Sequence, residues 1–273
     1  MTTTGDVGQR TRFNVREFAR TARGNHRAEL ELAEYEDAPL SAESLHAVRY
    51  LGRLESATME HLRNLLVTAT HKDARVTAFL VTWAFEKFWI ADALDAVLEA
   101  NGSPKAQDVP EGKKRHTLDE ASERRGAVRR AISAIRLGVP IIAVHVTTGL
   151  IDEWITRAAY IRLAAASKSA ALASTVSMIL DIKQRHADFF EDETRRRLEE
   201  SPRAAKLTRK SLLKAAWPIG AVDRSAEDRD FFESYVFGGE SGVASAAVIE
   251  ARVAALPGLD RSVGEAIARK LLP

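Results

Sequence analysis

The sequence predicts an all-α protein whose centre is a four-helix bundle. Three observations point there. Four stretches carry apolar residues three and four residues apart, the spacing that lines one face of a helix. Strand-like alternation is almost absent along the chain. Turn formers gather at a few places that divide the helical stretches cleanly.

The first stripe is Val48, Leu51, Glu55, Thr58, Leu62, Leu65. Ser41, with Glu43 and Ser44, starts this helix, which is expected to run to about residue 70. His71, Lys72 and Asp73 make a short turn. The second stripe is Val76, Leu80, Trp83, Lys87, Ile90, Leu94, Val97, on a helix expected from about 74 to 100 and stopped by Asn101, Gly102 and Pro104. Residues 101–126 are polar and rich in turn formers, and they read as a long crossover between helix pairs. The third stripe is Ile142, Val146, Gly149, Glu153, Thr156, Tyr160, Leu163. Its helix is expected over about 127–166, with Pro140 as a kink or a second start. The fourth stripe is Val176, Ile179, Lys183, His186, Phe190, ending before Ser201 and Pro202. Short helical patches follow near 204–215, 225–236, 242–256 and 261–271. The domain reading is therefore a basic and acidic arm over 1–40, the bundle over 41–200 and a helical extension over 201–273.

Each stripe carries one charge where an apolar residue should stand: Glu55, Lys87, Glu153 and Lys183, with His186 one turn after the last. An unpaired charge on a core stripe costs several kcal/mol. Two acids and two bases, one per helix, are expected to meet and neutralise one another.

The bulk composition narrows the function classes. With 273 residues and 45% hydrophobic content the chain can build a sizeable core. Forty basic against 38 acidic residues leave +2, which argues for neither nucleic acid nor an acidic membrane surface as partner. No cysteine is present, so disulfides, thiolate metal sites and cysteine nucleophiles are excluded, and the expected location is cytoplasmic. The N-terminal segment lacks an apolar signal-peptide region. The most apolar run, Ala131 to Leu150, contains Arg136, Pro140 and His145 and reads as a buried helix, not a membrane span.

The segments ILDIKQRHADFFEDETRRRL, VTWAFEKFWIADAL and DEWITRAAYIRLA resemble the ferritin-like superfamily, nearest to actinobacterial relatives of di-iron carboxylate oxidases and acyl desaturases. The likeness covers about 45–200, and the tail from Trp217-Pro218-Ile219-Gly220 to Leu256-Pro257-Gly258-Leu259 is similar to tails in that group. In the family a Glu on helices one and three joins a Glu-x-x-His on helices two and four to hold two metals. The resemblance puts Glu55 and Glu153 at the single-Glu positions. The two motifs fall on Lys87-Phe88-Trp89-Ile90 and on Lys183-Gln184-Arg185-His186, so only His186 survives of their four ligands. A degenerate site in a pseudoenzyme is implied, with no cofactor expected.

Alternatives stay open at this level. Glu153 and His186 could hold one iron or manganese ion. Lys87 or Lys183 could be a lysine of perturbed pKa acting in catalysis, or Tyr160 a radical site, since one branch of the similar ribonucleotide reductase small subunits also replaces metal carboxylates with lysine and apolar residues. Glu86 could face inward instead of Lys87, although that register wants a histidine where Trp89 stands.

The other candidates have plainer readings. His145 is a core histidine, and His61 and His71 read as exposed. The arm from Arg10 to Arg27 and its acids Glu29 to Asp37 read as a solvated, self-neutralising segment. Arg195, Arg196 and Arg197 read as a solvated helix end. Phe79, Trp83, Phe85, Phe88 and Trp89 are too many for one helix face, so one side of helix two is expected to meet a second subunit or the C-terminal extension. The partners expected are a second copy, as a homodimer, and a small hydrophobic ligand.

Overall fold

The computed structural model describes residues 12–106, 138–221 and 224–273. Among these residues the chain forms helices and no strands. The helices are α1 (Val15–Arg20), α2 (Glu34–Asp37), α3 (Ala42–Ser56), α4 (Thr58–Leu66), α5 (Ala74–Ala100), α6 (Pro140–Ser167), α7 (Ala170–Glu200), α8 (Pro202–Leu212), α9 (Ala226–Phe237), α10 (Gly239–Ala254) and α11 (Arg261–Leu271). Single 3-10 turns occupy Arg27–Glu29 and Ala69–Lys72.

Local chemistry sets the boundaries. Ser41, Asp73, Ser169, Ser201, Ser225 and Asp260 each accept a backbone N–H from the first turn of the helix that follows. Pro140 stands at the first turn of α6, where its missing N–H has no partner to lose. It is therefore a start and not a kink; the expected helical residues before it, and the crossover beyond 106, lie outside the described residues, as does the N-terminal segment before residue 12. Gly102 after α5 takes the left-handed backbone that a helix end favours (φ 65°).

The expected single helix over 41–70 is divided. The α-helix is interrupted at Ala57, whose N–H donates to the Arg53 carbonyl at 3.1 Å. The break falls two residues after Glu55, and Leu54, Ala57, Thr58 and His61 around it line a cavity. Such interruptions of the helical ladder turn side chains toward places a regular helix cannot reach.

α5 and α6 are buried on most of their surface, as expected of central helices. α3 packs on α5 and α6 on α7, while contacts of α3 with α6 and of α5 with α7 join the two pairs. Gly149 of α6 sits where a methyl group would meet the Phe190 ring of α7 at 2.7 Å, so the glycine on the third stripe permits close approach of these helices.

The N-terminal segment is tied to the central helices. Val15 and Phe18 are buried, and Phe18 stacks on Phe79 at 5.0 Å. Arg27 pairs with Asp92 and Glu99 of α5, and Arg12 reaches Glu193 of α7. The expectation of a solvated, self-neutralising arm is thus corrected: Arg20–Glu17 and Arg23–Glu29 are internal pairs, but other arginines bind acids of α5 and α7. The same segment approaches the outer aromatic side of α5, where Gly24 stands beside Phe85 and Trp89. The C-terminal helices lie elsewhere: α8 packs on α6 and α7, α10 on α11 and α6, and Phe232 of α9 stacks on Tyr50 of α3 at 4.8 Å. No helix among the described residues is long and apolar enough to cross a membrane.

Candidate functional site

Glu55 of α3, Lys87 of α5, Glu153 of α6 and Lys183 of α7 converge in the interior, their side chains at most 4% exposed. The four groups form a closed cycle of alternating charge. Lys87 Nζ lies 2.9 Å from Glu55 Oε2 and 3.8 Å from Glu153 Oε1. Lys183 Nζ lies 2.7 Å from Glu153 Oε2 and 3.4 Å from Glu55 Oε1. Each carboxylate therefore turns one oxygen toward each lysine.

Neutral donors complete the carboxylate shells. The Tyr160 hydroxyl donates to Glu55 Oε1 at 3.0 Å, and the Trp83 indole N–H donates to Glu153 Oε1 at 3.0 Å. Lys87 also lies over the Trp83 ring at 5.1 Å and Lys183 over the Tyr160 ring at 5.6 Å, cation–π contacts that stabilise ammonium groups removed from water. Ile90, one turn along α5 from Lys87, is fully buried.

The cycle fixes its own protonation states. Burial alone would raise both carboxyls, but Lys183 and then Lys87 outweigh it and hold Glu55 below, and Glu153 well below, the usual carboxylate range. Burial would likewise lower Lys87, yet Glu55 and Glu153 raise it above its ordinary value. Tyr160 is pushed well above the ordinary phenol range by burial and by Glu55, which keeps its proton in the hydrogen bond.

Glu86 and Lys87 are both interior, although sequence reasoning treated them as alternatives. Neighbours on a helix are separated by about 100° around its axis, so α5, covered on several sides, can bury both. Glu86 Oε2 lies 2.8 Å from His186 Nε2, and its other oxygen accepts the Arg23 N–H at 2.7 Å. The other ring nitrogen of His186 is 3.6 Å from Glu153 Oε1, so the histidine links the cycle to a second buried acid. The adjacent pairs Glu86–Lys87 and Asp152–Glu153, each set in an apolar helix, were the available sequence signal.

Asp152 was missed. It is buried, accepts the Ile219 N–H at 2.7 Å, and burial pushes its carboxyl up to about 6. With His61, Asn64, Trp83 and Lys87 it borders a cavity of about 100 Å³ that runs to the cluster between α4, α6 and the loop at Gly220. His61, expected to be exposed, is corrected: it lines this cavity, and burial followed by the charge of Lys87 lowers its imidazole to about 4. His71 is exposed. His145 is 2.8 Å from the Thr70 hydroxyl, apart from the cluster.

The expectation of a solvated helix end at Arg195–Arg197 is also corrected. Arg196 and Arg197 bind fully buried Glu193 at 2.7 and 2.9 Å, and Arg75 binds it at 2.8 Å. These arginines lower the Glu193 carboxyl to about 2 against the effect of burial. The four-helix charge cycle and this anchor at the far end of α7 are separate buried electrostatic clusters.

The residues at the cycle do not fit two divalent metals. Two ammonium nitrogens already stand between the carboxylates, and both His186 nitrogens face acids. Among the described residues no three His, Asp or Glu side chains are grouped as a metal site. No model of a known protein family, no curated protein and no solved structure matches the chain.

Proposed function

We propose that this is a ferritin-like four-helix protein whose metal centre has been replaced by a Glu55–Lys87–Glu153–Lys183 ion-pair core, and that it acts by binding and not by metal redox chemistry. The observation that carries the reading is the alternating cycle, in which each acid contacts both lysines at 2.7–3.8 Å. Two charges of each sign offset one another, while a divalent pair in the same space would face two ammonium groups. Support for the ferritin-like assignment comes from four helices that each contribute one member of the cycle, in the order the resemblance implies. The exposed Val81, Phe85 and Phe88 on one side of α5 support association with a second copy.

The raised Lys87 argues against the alternative of a neutral, nucleophilic lysine: the surrounding acids favour the ammonium form by more than burial disfavours it. Tyr160, held protonated by the same acids, is likewise better read as a donor that orients Glu55.

The test is the metal content of protein expressed with added iron and manganese and purified without chelators. Fewer than about 0.1 ions per chain is the expected result. About one or two ions per chain, lost in Glu153→Ala or His186→Ala, would overturn the reading and restore a metal oxidase.

A further inference from the structure

The outer faces of α6 and α10 enclose a second feature that the charge cycle does not use. A groove of about 430 Å³ runs between them, within the size range of small-molecule sites. On α6 its lining recurs at Trp154, Ala158, Ile161 and Ala165, one helical stripe turned about 100° from the face that carries Glu153. On α10 the matching stripe includes Ser245, Val248 and Ile249. Alanine and serine on these facing stripes are too short to fill the space between the helices. Ile161 and Val248 are 50% and 58% exposed, an apolar surface left open to solvent.

Three arginines edge this apolar floor: Arg157 and Arg162 from α6, and Arg252 from α10. Arg252 lies over the Trp154 ring at 5.1 Å. Arg162 donates to the Tyr235 carbonyl at 3.1 Å and lies over the Tyr235 ring at 5.7 Å. Among the described residues none of the three has a carboxylate within ion-pair distance; Arg16, Arg63, Arg203 and Arg269 share that property, but these three are gathered around one apolar groove. A chain with near-equal acid and base that leaves three guanidinium groups unneutralised around one concave apolar surface has an electrostatic vacancy there.

We propose that this groove binds a free amphipathic oxyanion, a small molecule with a hydrocarbon body and a single carboxylate or phosphate head. The hydrocarbon would cover Trp154, Ile161 and Val248. The head would accept from Arg157 and Arg252, whose planar donor forks suit carboxylate and phosphate oxygens. A concave groove between two helices suits a single dispersed molecule; docking on a membrane surface would call for a protruding apolar face. The inference goes beyond the metal-free reading of the core and does not depend on it, because its residues and those of the cycle are disjoint.

The test uses the full chain and dodecanoate below its micellar concentration, followed by calorimetry and by the change in tryptophan fluorescence. Saturable binding of one molecule per chain is expected, at least about tenfold tighter than that of dodecanol. Arg157→Gln with Arg252→Gln should weaken dodecanoate by about tenfold or more and leave dodecanol nearly unchanged. Arg252 also covers the Trp154 ring, so unaltered thermal unfolding together with retained dodecanol binding will verify the fold. Ser245→Trp, which fills the groove and keeps the arginines, should abolish binding of both ligands. Equal affinity for acid and alcohol, indifference to the arginine substitutions, no saturable binding, or binding only to anionic phospholipid vesicles would each overturn the proposal.

Discussion

Replacing Glu153 by Gln removes one charge from the core while keeping the side-chain volume and an acceptor for the Trp83 N–H. Lys183 and Lys87, at 2.7 and 3.8 Å, then share the single acid Glu55. At an effective dielectric constant of about 20, unit charges at those distances attract by about 6 and 4 kcal/mol. The relieved repulsion from Glu55 and the avoided desolvation of a carboxylate cancel more than half of this. A net loss of about 3–5 kcal/mol is left, the usual cost of orphaning one partner of a buried pair. For a chain of this size that corresponds to a fall in Tm of about 6–20 °C. The assay is urea denaturation of Glu153→Gln, Lys183→Met and the double variant, with equal m-values as the sign that the same transition is followed. Each single variant leaves one charge in excess. The double variant leaves the balanced Glu55–Lys87 pair at 2.9 Å and should recover at least about 2 kcal/mol relative to the sum of the singles. A single variant within about 1 kcal/mol of the parent, or a cycle with no coupling, would refute the claim that the four charges stabilise one another.

Two further outcomes follow from the packing and the histidines. Gly149→Ala brings a methyl group to 2.7 Å from the Phe190 ring and should cost about 1–3 kcal/mol, with Gly149→Ala/Phe190→Leu partly restored in the same denaturation assay. His61 and His145 are both lowered to about 4, in each case first by burial, so the unfolded chain binds their protons more readily than the folded one. Their contribution is intact above the unfolded value near 6.5 and is lost as pH falls from there toward 4, at up to about 1.4 kcal/mol per pH unit for each histidine. Denaturation midpoints measured across that window should fall with pH, and His61→Gln with His145→Gln should flatten the slope; an unchanged slope would contradict the assignment of two half-buried, neutral imidazoles.

Helix positions were legible in the sequence because their signals are local. Asp73 and Ser169 cap the helices that follow them, Pro140 marks a start, and Gly102 marks an end, each through contacts within one or two turns. The charges on the four stripes were equally visible, because an apolar 3.6-residue period makes any interruption conspicuous. That period specifies one buried stripe per helix. α5 is covered by α3, α4, α7 and the N-terminal segment together, which is why Glu86 is buried as well as Lys87.

The remainder belongs to tertiary structure. Asp152 stands one residue off the third stripe and is buried by the loop that carries Ile219, 67 residues away. The break at Ala57 and the cavity beside His61 form where that same loop meets α3 and α4. Arg197 looks like a solvated helix end until Asp73 and Glu193 are found around it. The sequence by itself determined which segments are helical and that two acids and two lysines must find partners, because caps, turn formers and periodicity act over a few residues and a buried charge cannot stay alone. Only the tertiary structure decided that both lysines bridge both acids, which polar groups border the cavity, and where three arginines gather around one apolar groove, because those facts depend on how elements far apart in the chain are brought side by side.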